Sequence, residues 1–277
     1  MKLKFTKMHG LGNDFIILHD KGDGSALPAS LADFCRKYSD RRFGIGFDQA
    51  LIVGPSGKAD FSMGIYNADG SRVEMCGNGI RCVGKYLWDR KLAPRKELTI
   101  ETPAGIVRPR PEGDEVAVDM GEPVIGVGQE AGEESESGEG PGLSLTVKDR
   151  QFDLTRVSMG NPHAVIFVPE VRAFPVKEYG PLLETHPAFP DRTNVEFVQV
   201  IGPQTLRVRV WERGAGETLS CGTGACAAAV AAHLHGLTAR TVLVHLAGGD
   251  LKIHLAENNH VIMTGPAVEV FEGEVEV

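Results

Sequence analysis

MCGNGIRC (residues 75–82) and SCGTGAC (residues 220–226) are two versions of one motif in a chain of 277 residues. Each contains a Cys-Gly-x-Gly turn, at Cys76 and at Cys221, and a helical pattern follows each turn. The two cysteines are 145 residues apart, and a motif that returns after a long interval indicates an internal duplication. At about 150 residues per domain, the length also allows two small domains.

Other landmarks repeat in the same order and at nearly the same distance from the two cysteines. They are Gly12-Asn13 with Gly160-Asn161, Asn67 with Glu212, and Ala104-Gly105 with Ala247-Gly248. We therefore predict two homologous lobes related by a pseudo-twofold axis, at residues 1–123 and 143–266. A surplus strand at 267–277 can return to the first lobe.

The segment between the lobes, residues 124–142, is predicted to be an acidic flexible linker. Within it, residues 126–142 hold five Glu, six Gly and no basic residue, a composition typical of flexible chain. It carries five of the eight net negative charges. The remainder is thus only mildly acidic, and an anionic substrate is not excluded.

Short strand-like runs dominate and predict a strand-rich α+β fold, which some schemes would class as α/β. These runs are Lys2–Lys7, Phe15–Leu18, Ala50–Val53, Leu98–Glu101, Glu115–Met120, Ala164–Val168, Glu196–Val200 and Leu206–Val210. Helices are predicted at about 30–39, with Ser30 as N-cap, and at about 79–89 and 224–235. The last is nearly all Ala and Val, ends at Gly236 and is expected to be buried and central.

Composition excludes several classes of protein. The net charge is −8 without a Lys/Arg cluster, so no nucleic-acid or acidic-membrane partner is expected. Five cysteines without a CxxC pair indicate neither a disulfide scaffold nor a metal site, and favour a reducing cytoplasmic setting. The absence of a signal-like start and of a long apolar run predicts a soluble intracellular protein.

The two turns suggest chemistry as well as structure. A helix N-terminus offers unsatisfied N–H groups and partial positive charge, which bind anions and favour a thiolate. A twofold relation would direct both helix ends at one small carboxylate, held by the N–H groups of Gly77, Asn78, Gly222 and Thr223. Sulfurs on opposite faces of one carbon suit a two-base racemase or epimerase. The sequence contains neither a lysine motif nor a phosphate-binding loop that would indicate pyridoxal phosphate, so no cofactor is expected.

A structural role is the alternative for each cysteine. One cysteine before a helix is most often a packing residue, but duplication at matched spacing argues against that for Cys76 and Cys221. A redox disulfide between these two is a further option, and it would inactivate a two-thiol enzyme. Cys35, Cys82 and Cys226 fall within helical patterns and are predicted to lie in the core.

Six ordered motifs resemble the diaminopimelate epimerase family: MHGLGNDF (8–15), GFDQ (46–49), YNADGSRVEMCGNGIRC (66–82), GNPH (160–163), RTNVEFV (192–198) and WERGAGETLSCGTGAC (211–226). The resemblance spans nearly the whole chain apart from the acidic segment. It implies a cofactor-independent enzyme that interconverts LL- and meso-diaminopimelate on the route to lysine and peptidoglycan. It also implies two lobes, each a strand-rich barrel around a central helix, with the active site in the cleft, and a homodimer.

The resemblance implies roles for the remaining polar residues of these motifs. Asn13, Asn67, Asn161 and Asn194 would contact the distal end of the substrate with Arg213, and Glu212 would receive the substrate ammonium group. His163 would lie near the reacting centre, and Gln49 would lie close to the site without an assigned role. Several of these residues have a simpler explanation. Asn13 and Asn67 can be ordinary turn residues, Glu212-Arg213 can be a solvated pair, and His163 can be a hydrogen-bonded histidine after Asn-Pro.

Four rival functions remain open at this stage. Proline and hydroxyproline racemases share two facing cysteines but resemble a Cys-Gly-His turn where this chain has Cys76-Gly77-Asn78. Phenazine-type isomerases have the two lobes without the paired cysteines. A two-lobed amino-acid-binding protein would exchange no α-proton, and a thiol–disulfide switch protein would work in the oxidised form.

Overall fold

The computed structural model describes residues 2–22, 27–93, 95–126 and 142–277. It divides into two compact units, residues 1–119 with 264–277, and residues 120–263. The predicted linker falls mostly on residues 127–141, which lie outside the described part of the chain. On its N-terminal side, Val124–Ile125 form a short strand.

The described residues form four helices and nineteen strands. The helices are α1 (Leu31–Tyr38), α2 (Gly77–Asp89), α3 (Val176–Glu184) and α4 (Gly222–Leu234). The strands are β1 (Lys2–Gly10), β2 (Asn13–His19), β3 (Gln49–Gly54), β4 (Phe61–Asn67), β5 (Arg72–Val73), β6 (Ile100–Thr102), β7 (Gly105–Glu112), β8 (Glu115–Asp119), β9 (Val124–Ile125), β10 (Gly142–Val147), β11 (Arg150–Ser158), β12 (Pro162–Phe167), β13 (Asn194–Gly202), β14 (Thr205–Glu212), β15 (Gly216–Thr218), β16 (Thr241–Leu246), β17 (Gly249–Leu255), β18 (Val261–Gly265) and β19 (Val268–Glu276).

Both units contain the same succession of strand pairings. In the first, β1–β2 is antiparallel, β2–β3 parallel, β3–β4 and β4–β5 antiparallel, β4–β6 parallel and β6–β7 antiparallel. In the second, the strands β11, β12, β13, β14, β15, β16 and β17 pair in the same order and directions. The prediction of a strand-rich fold made of two similar halves is confirmed.

Each unit is built around one helix. Helix α2 contacts β1, β2, β3, β7 and β8, and α4 contacts β11, β12, β13, β14, β16 and β17. Residues 224–232 of α4 are all buried, as predicted from its Ala-rich sequence. Small side chains allow strands to approach such a helix from several sides at native packing density. Cys35, Cys82 and Cys226 are fully buried, so their predicted core placement is confirmed.

The helix ends differ slightly from the prediction. Ser30 caps α1 by accepting a hydrogen bond from the Asp33 N–H, as expected. Both α2 and α4 begin two residues earlier than predicted, directly after their cysteines. Gly236 follows α4 with a positive φ of 68°, which is typical of a helix C-terminus. Strand β6 begins two residues later than predicted.

Helix α3 was missed by the sequence analysis. It begins after Pro175 and contains Pro181, and proline disfavours a helix interior. Tertiary packing compensates, because Val176, Tyr179 and Leu183 are buried in one cluster with residues of β10, β11, β12 and β13. Burial of that apolar face outweighs the poor intrinsic propensity of the segment.

The tail of the chain forms β19, which pairs antiparallel with β1 over a register that runs from Lys2 opposite Glu276 to His9 opposite Val268. This long ladder ties the C-terminal strand into the first unit. Over the described residues, no helix combines the length and apolar character needed to cross a membrane.

Candidate active site

Cys76 and Cys221 occupy the same structural position in their units, as N-caps of α2 and α4. The Cys76 Sγ accepts a hydrogen bond from the Gly79 N–H at 3.4 Å, and the Cys221 Sγ accepts one from the Gly224 N–H at 3.4 Å. Each sulfur therefore lies at the positive end of a thirteen-residue helix. Gly77, Asn78, Gly222 and Thr223 form the first turns, whose N–H groups have no carbonyl partner within the helix.

Asn13 faces the first cysteine. Its Oδ1 lies 3.9 Å from the Cys76 Sγ and accepts a hydrogen bond from the Asn78 side chain at 3.3 Å. Its Nδ2 donates to Asp48 at 3.0 Å. With donor and acceptor both engaged, the amide can lie in only one orientation, with the oxygen toward the thiol.

A network of charged side chains surrounds Asp48, the hydrogen-bond partner of Asn13. Arg41 donates two hydrogen bonds of 2.8 Å to Asp14 and one of 2.7 Å to Asp48, and Lys7 pairs with Asp14 at 2.5 Å. Partial burial opposes ionisation of Asp14, but the hydrogen bonds from Arg41 and Lys7 outweigh it and hold the pKa of this carboxyl below its ordinary value. No pattern in the sequence indicated this network, although Asp14 and Asp48 stand beside the predicted site residues Asn13 and Gln49.

Gln49 and Asn67 lie opposite each other in the β3–β4 ladder. The Gln49 Nε2 donates to the Asn67 Oδ1 at 2.9 Å, and the Asn67 Nδ2 donates to Ser71 at 3.0 Å. The Gln49 Oε1 is buried without a hydrogen-bond partner in the described part of the chain. A buried acceptor of this kind is uncommon unless a ligand or water completes it.

The second cysteine lies in a more enclosed and more acidic environment. Cys221 is buried, and Thr223 places its hydroxyl 3.5 Å from the sulfur. Burial, then the charges of Glu212 and Glu196, raises the pKa of the Cys221 thiol well above its ordinary value. Burial also raises the pKa of Glu212, which hydrogen-bonds Cys221 and accepts a 2.5 Å bond from Thr218.

His163 and Asn161 belong to the same group of contacts. The His163 Nδ1 lies 2.7 Å from the Glu196 Oε1, and its Nε2 lies 3.1 Å from the Asn161 Oδ1. The Asn161 Nδ2 donates to the Thr223 hydroxyl at 3.3 Å. Glu196 was not among the predicted site residues. The only signal for it was a carboxylate inside RTNVEFV, in a strand buried on both faces.

Asn194 and Arg213 contact each other, but their side chains form hydrogen bonds with backbone groups. The Asn194 Oδ1 accepts from the Arg213 N–H at 3.0 Å, and its Nδ2 donates to the Pro162 carbonyl at 2.8 Å. The exposed Arg213 side chain donates to the Asp191 carbonyl at 3.2 Å. Asn194 thus fixes the turn after β14, and a role toward substrate stays a prediction for both residues.

Contacts within each unit thus group predicted residues around that unit's cysteine, and we call each group a half-site. The Cys76 half-site contains Cys76, Asn13, Gly77 and Asn78, and the Gln49–Asn67 pair lies one residue along the chain from Asp48, the partner of Asn13. The Cys221 half-site contains Cys221, Asn161, His163, Glu212, Gly222 and Thr223, with Asn194 and Arg213 beside it. Each half-site combines a thiol at a helix N-terminus with amide groups held by fixed partners.

Comparison with known proteins decides among the rival functions. Residues 5–126 and 155–270 match the family model for diaminopimelate epimerase. The chain belongs to the diaminopimelate epimerase family. Diaminopimelate epimerases from Moorella thermoacetica and Pelotomaculum thermopropionicum are 51% and 50% identical to it, over 98% of this chain and 99% and 98% of theirs. That from Agathobacter rectalis is 47% identical over 99% of this chain and all of its own.

Solved structures of more distant proteins share the fold of this diaminopimelate epimerase family member. A PhzF-family phenazine biosynthesis protein from Bacillus anthracis superposes with a TM-score of 0.70 at 18% identity, over 100% of both chains. A hydroxyproline epimerase from Agrobacterium vitis, with bound trans-4-hydroxy-L-proline, gives 0.70 at 16% identity, over 99% of this chain and 92% of that one. The match to this particular family, and not only to isomerases in general, sets the rival functions aside and makes the chain an isomerase of the epimerase type.

Proposed function

We propose that this protein inverts one α-carbon of diaminopimelate, interconverting the LL and meso forms, with Cys76 and Cys221 as the two acid/base groups. The observation that carries the proposal is the repeated placement of a cysteine as the N-cap of a buried thirteen-residue helix. The family to which the chain belongs supports the substrate. Two thiols are what inversion requires, since a proton must leave one face of the carbon and another must arrive on the opposite face.

In the proposed reaction, one cysteine acts as thiolate and takes the α-proton, so that an S–H bond forms as the C–H bond breaks. The electron pair remains on the α-carbon and delocalises into its carboxylate. The other cysteine, as thiol, then delivers its proton to the opposite face and becomes the thiolate. Atoms and charge balance without an oxidant or reductant, and the reverse reaction exchanges the two roles.

The helix N-termini are suited to the developing charge. First-turn N–H groups of Gly77 and Asn78, and of Gly222 and Thr223, would bind the carboxylate next to the reacting carbon. Such donors stabilise charge best in a water-excluded site, because they are already oriented when the proton moves. No step requires pyridoxal phosphate or a metal ion.

The remaining residues would orient the amino acid. Glu212 would receive the ammonium group of the reacting centre, since a buried carboxylate next to a thiol needs a cation to compensate it. Asn amides can bind both ammonium and carboxylate groups without adding charge. We assign substrate orientation to these residues: Asn13, Gln49, Asn67, Asn161, Asn194 and Arg213, with His163 in support.

The proposal extends to the biological setting. The product would supply lysine and peptidoglycan synthesis, and the enzyme would act in the cytoplasm as a homodimer. Two reduced thiols are required for turnover, and a reducing compartment maintains them.

Deuterium exchange tests the proposed function directly. The protein is incubated with LL-diaminopimelate in D2O, and proton NMR follows the α-proton signal while chiral chromatography follows meso product. We expect one solvent deuterium per inversion, and, after treatment with a thiol oxidant, a preserved α-proton signal and no meso product. Substrate binding without α-proton exchange would refute the proposal. The matched control is Cys35→Ala, which removes a buried thiol of α1 outside both half-sites and should leave exchange unchanged.

A further inference from the structure

The Cys221 half-site contains a buried pair, His163 and Glu196, whose purpose the fold does not explain. Their side chains are 0% exposed, and the carboxylate oxygen Oε1 lies 2.7 Å from the His163 Nδ1. The second oxygen, Oε2, is buried without a hydrogen-bond partner among the described residues. Removing such groups from water is costly, and a buried ion pair is often no more stabilising than apolar side chains of similar volume.

The duplication shows what the fold itself requires at these positions. Phe15 is paired with Gln49 in the β2–β3 ladder, as His163 is paired with Asn194 in β12–β13. Two residues further along, Leu51 in β3 corresponds to Glu196 in β13. The first unit therefore has Phe and Leu, both fully buried, where the second has His and Glu. The same strand arrangement thus forms with an apolar pair.

The glycines of the two cysteine turns support this correspondence. A Cβ on Gly79 would lie 3.2 Å from the Leu51 side chain, whereas a Cβ on Gly224 would lie 2.7 Å from the Glu196 Oε1. The Glu196 carboxylate therefore contacts the turn whose N–H, at Gly224, donates to the Cys221 sulfur. A side chain at position 224 would therefore displace the Glu196 carboxylate.

A hydrogen-bonded chain also connects Glu196 to the thiol. From Glu196 it passes to His163, then from the His163 Nε2 to Asn161 at 3.1 Å. From Asn161 it reaches the Thr223 hydroxyl at 3.3 Å, which lies 3.5 Å from the Cys221 sulfur. We name these five residues the Glu196 chain. Its first two members are polar where their first-unit counterparts, Leu51 and Phe15, are apolar.

We propose that Glu196 is a positioning residue of the Cys221 half-site, which holds His163 and, through Asn161 and Thr223, fixes where the Cys221 thiol lies. Burial raises the pKa of the Cys221 thiol, and the nearby charges of Glu212 and Glu196 raise it further; His163 is the other ionisable side chain of this group. The inference rests on the proposed function, because the thiol must be aligned with a substrate carbon for its position to matter.

Three variants separate the contact between Glu196 and His163 from the effect of the Glu196 charge. Glu196→Gln keeps the shape and removes the charge, whereas Glu196→Asp keeps the charge and withdraws the carboxylate from His163 by one methylene. The double variant His163→Phe with Glu196→Leu transplants the first unit's own pair. For each we would measure kcat and KM in both directions, the melting temperature, and the alkylation rates of Cys221 and Cys76 by peptide mass spectrometry.

We expect kcat to fall about tenfold or more in all three variants, with KM within about threefold of wild type, because small misplacement of a reacting group affects the chemical step most. Alkylation of Cys221 should become several-fold faster in Glu196→Gln and stay near wild type in Glu196→Asp. Cys76 in the same molecules is the internal control and should react unchanged. The double variant should fold and melt no lower than wild type.

The control for loss of a buried carboxylate is Asp60→Asn. The Asp60 side chain is 8% exposed and pairs with Arg95 and Thr99. Asp60 lies just before the start of β4, whereas Asn67 lies at its other end. Turnover within twofold of wild type in both Glu196→Gln and Glu196→Asp would overturn the inference, as would activity losses that only track the melting temperature. Failure of the wild type to exchange the α-proton would refute the proposed function instead, while the alkylation rates would still report on Glu196.

Discussion

The two half-sites are copies of one design that now differ in chemistry. In both, the cysteine sulfur accepts a hydrogen bond from the third N–H of a buried helix. The strands of the two units also pair in the same order. Around Cys76, the carboxylates of Asp14 and Asp48 lie next to Asn13 and are paired with Lys7 and Arg41. Around Cys221, two carboxylates lie close to the sulfur itself. The backbone thus defines where a thiol is held, and the neighbouring side chains define the charges around it.

The largest effect should come from removing either sulfur. Cys76→Ser or Cys221→Ser should lower kcat about 10³-fold or more, because a hydroxyl is a far weaker acid than a thiol and general acid–base transfer alone contributes about 10²–10⁴-fold. Melting temperature and substrate binding should change little. Turnover and α-deuterium uptake provide the measurement, and near-wild-type turnover in either variant would rule out the two-thiol mechanism.

The next largest effect should come from replacing Glu212, whose counterpart in the first unit is the uncharged Asn67. Glu212→Gln should lower kcat/KM about 10²-fold, since truncating one partner of a buried charge pair costs about 2–5 kcal/mol. Because the Glu212 charge raises the pKa of Cys221, alkylation of Cys221 should shift to lower pH. The control is Glu217→Gln on β15, which pairs with Arg209. An unchanged alkylation profile would contradict the assigned electrostatics.

A smaller effect should follow from loosening the first half-site. Asp48→Asn converts one of the two oxygens that receive Asn13 and Arg41 into an NH2 donor, so the Asn13 oxygen is held less firmly toward Cys76. We expect kcat/KM to fall about tenfold, as for other residues that orient a functional group. Steady-state kinetics measures it, with Asp60→Asn as the matched variant. If both variants behave alike, Asp48 has only a structural role.

The smallest effect should be on stability. Arg41→Ala should lower the free energy of unfolding by about 1 kcal/mol at pH 7, as expected for a partly exposed pair. The folded pKa of Asp14 lies below the unfolded value of about 3.9, so this stabilisation is present above about pH 4 and is lost as the pH falls through the folded pKa. Urea unfolding at several pH values should show the two proteins converging in acid. A constant difference would assign the effect to packing.

Periodicity and turn residues predicted most of the fold. Ser30, Cys76 and Cys221 were each expected at a helix start, and each is an N-cap. The strands around Phe15, Ala50 and Val208 form where alternation placed them. Helix α3 escaped prediction because Pro175 and Pro181 disfavour a helix locally, while its stability comes from residues distant in sequence.

The candidate site divides in the same way. Cys76, Asn13 and Glu212 could be found because they recur at matched spacing. Glu196 and Asp48 could not, since their importance lies in what they contact: a histidine 33 residues away and an asparagine 35 residues away. A carboxylate inside a strand carries no local signal of its partner.

The sequence by itself determined the duplication, the strand-rich fold and the two cysteine turns, because these follow from short-range pattern and from repetition along the chain. Only the tertiary structure decided how the two thiols differ. Burial and the charges around Cys221 arise from β13 and β14, and the support of Asn13 comes from residues next to β2 and β3. Electrostatic energies depend on distance and on exclusion of water, and both exist only once the chain has folded.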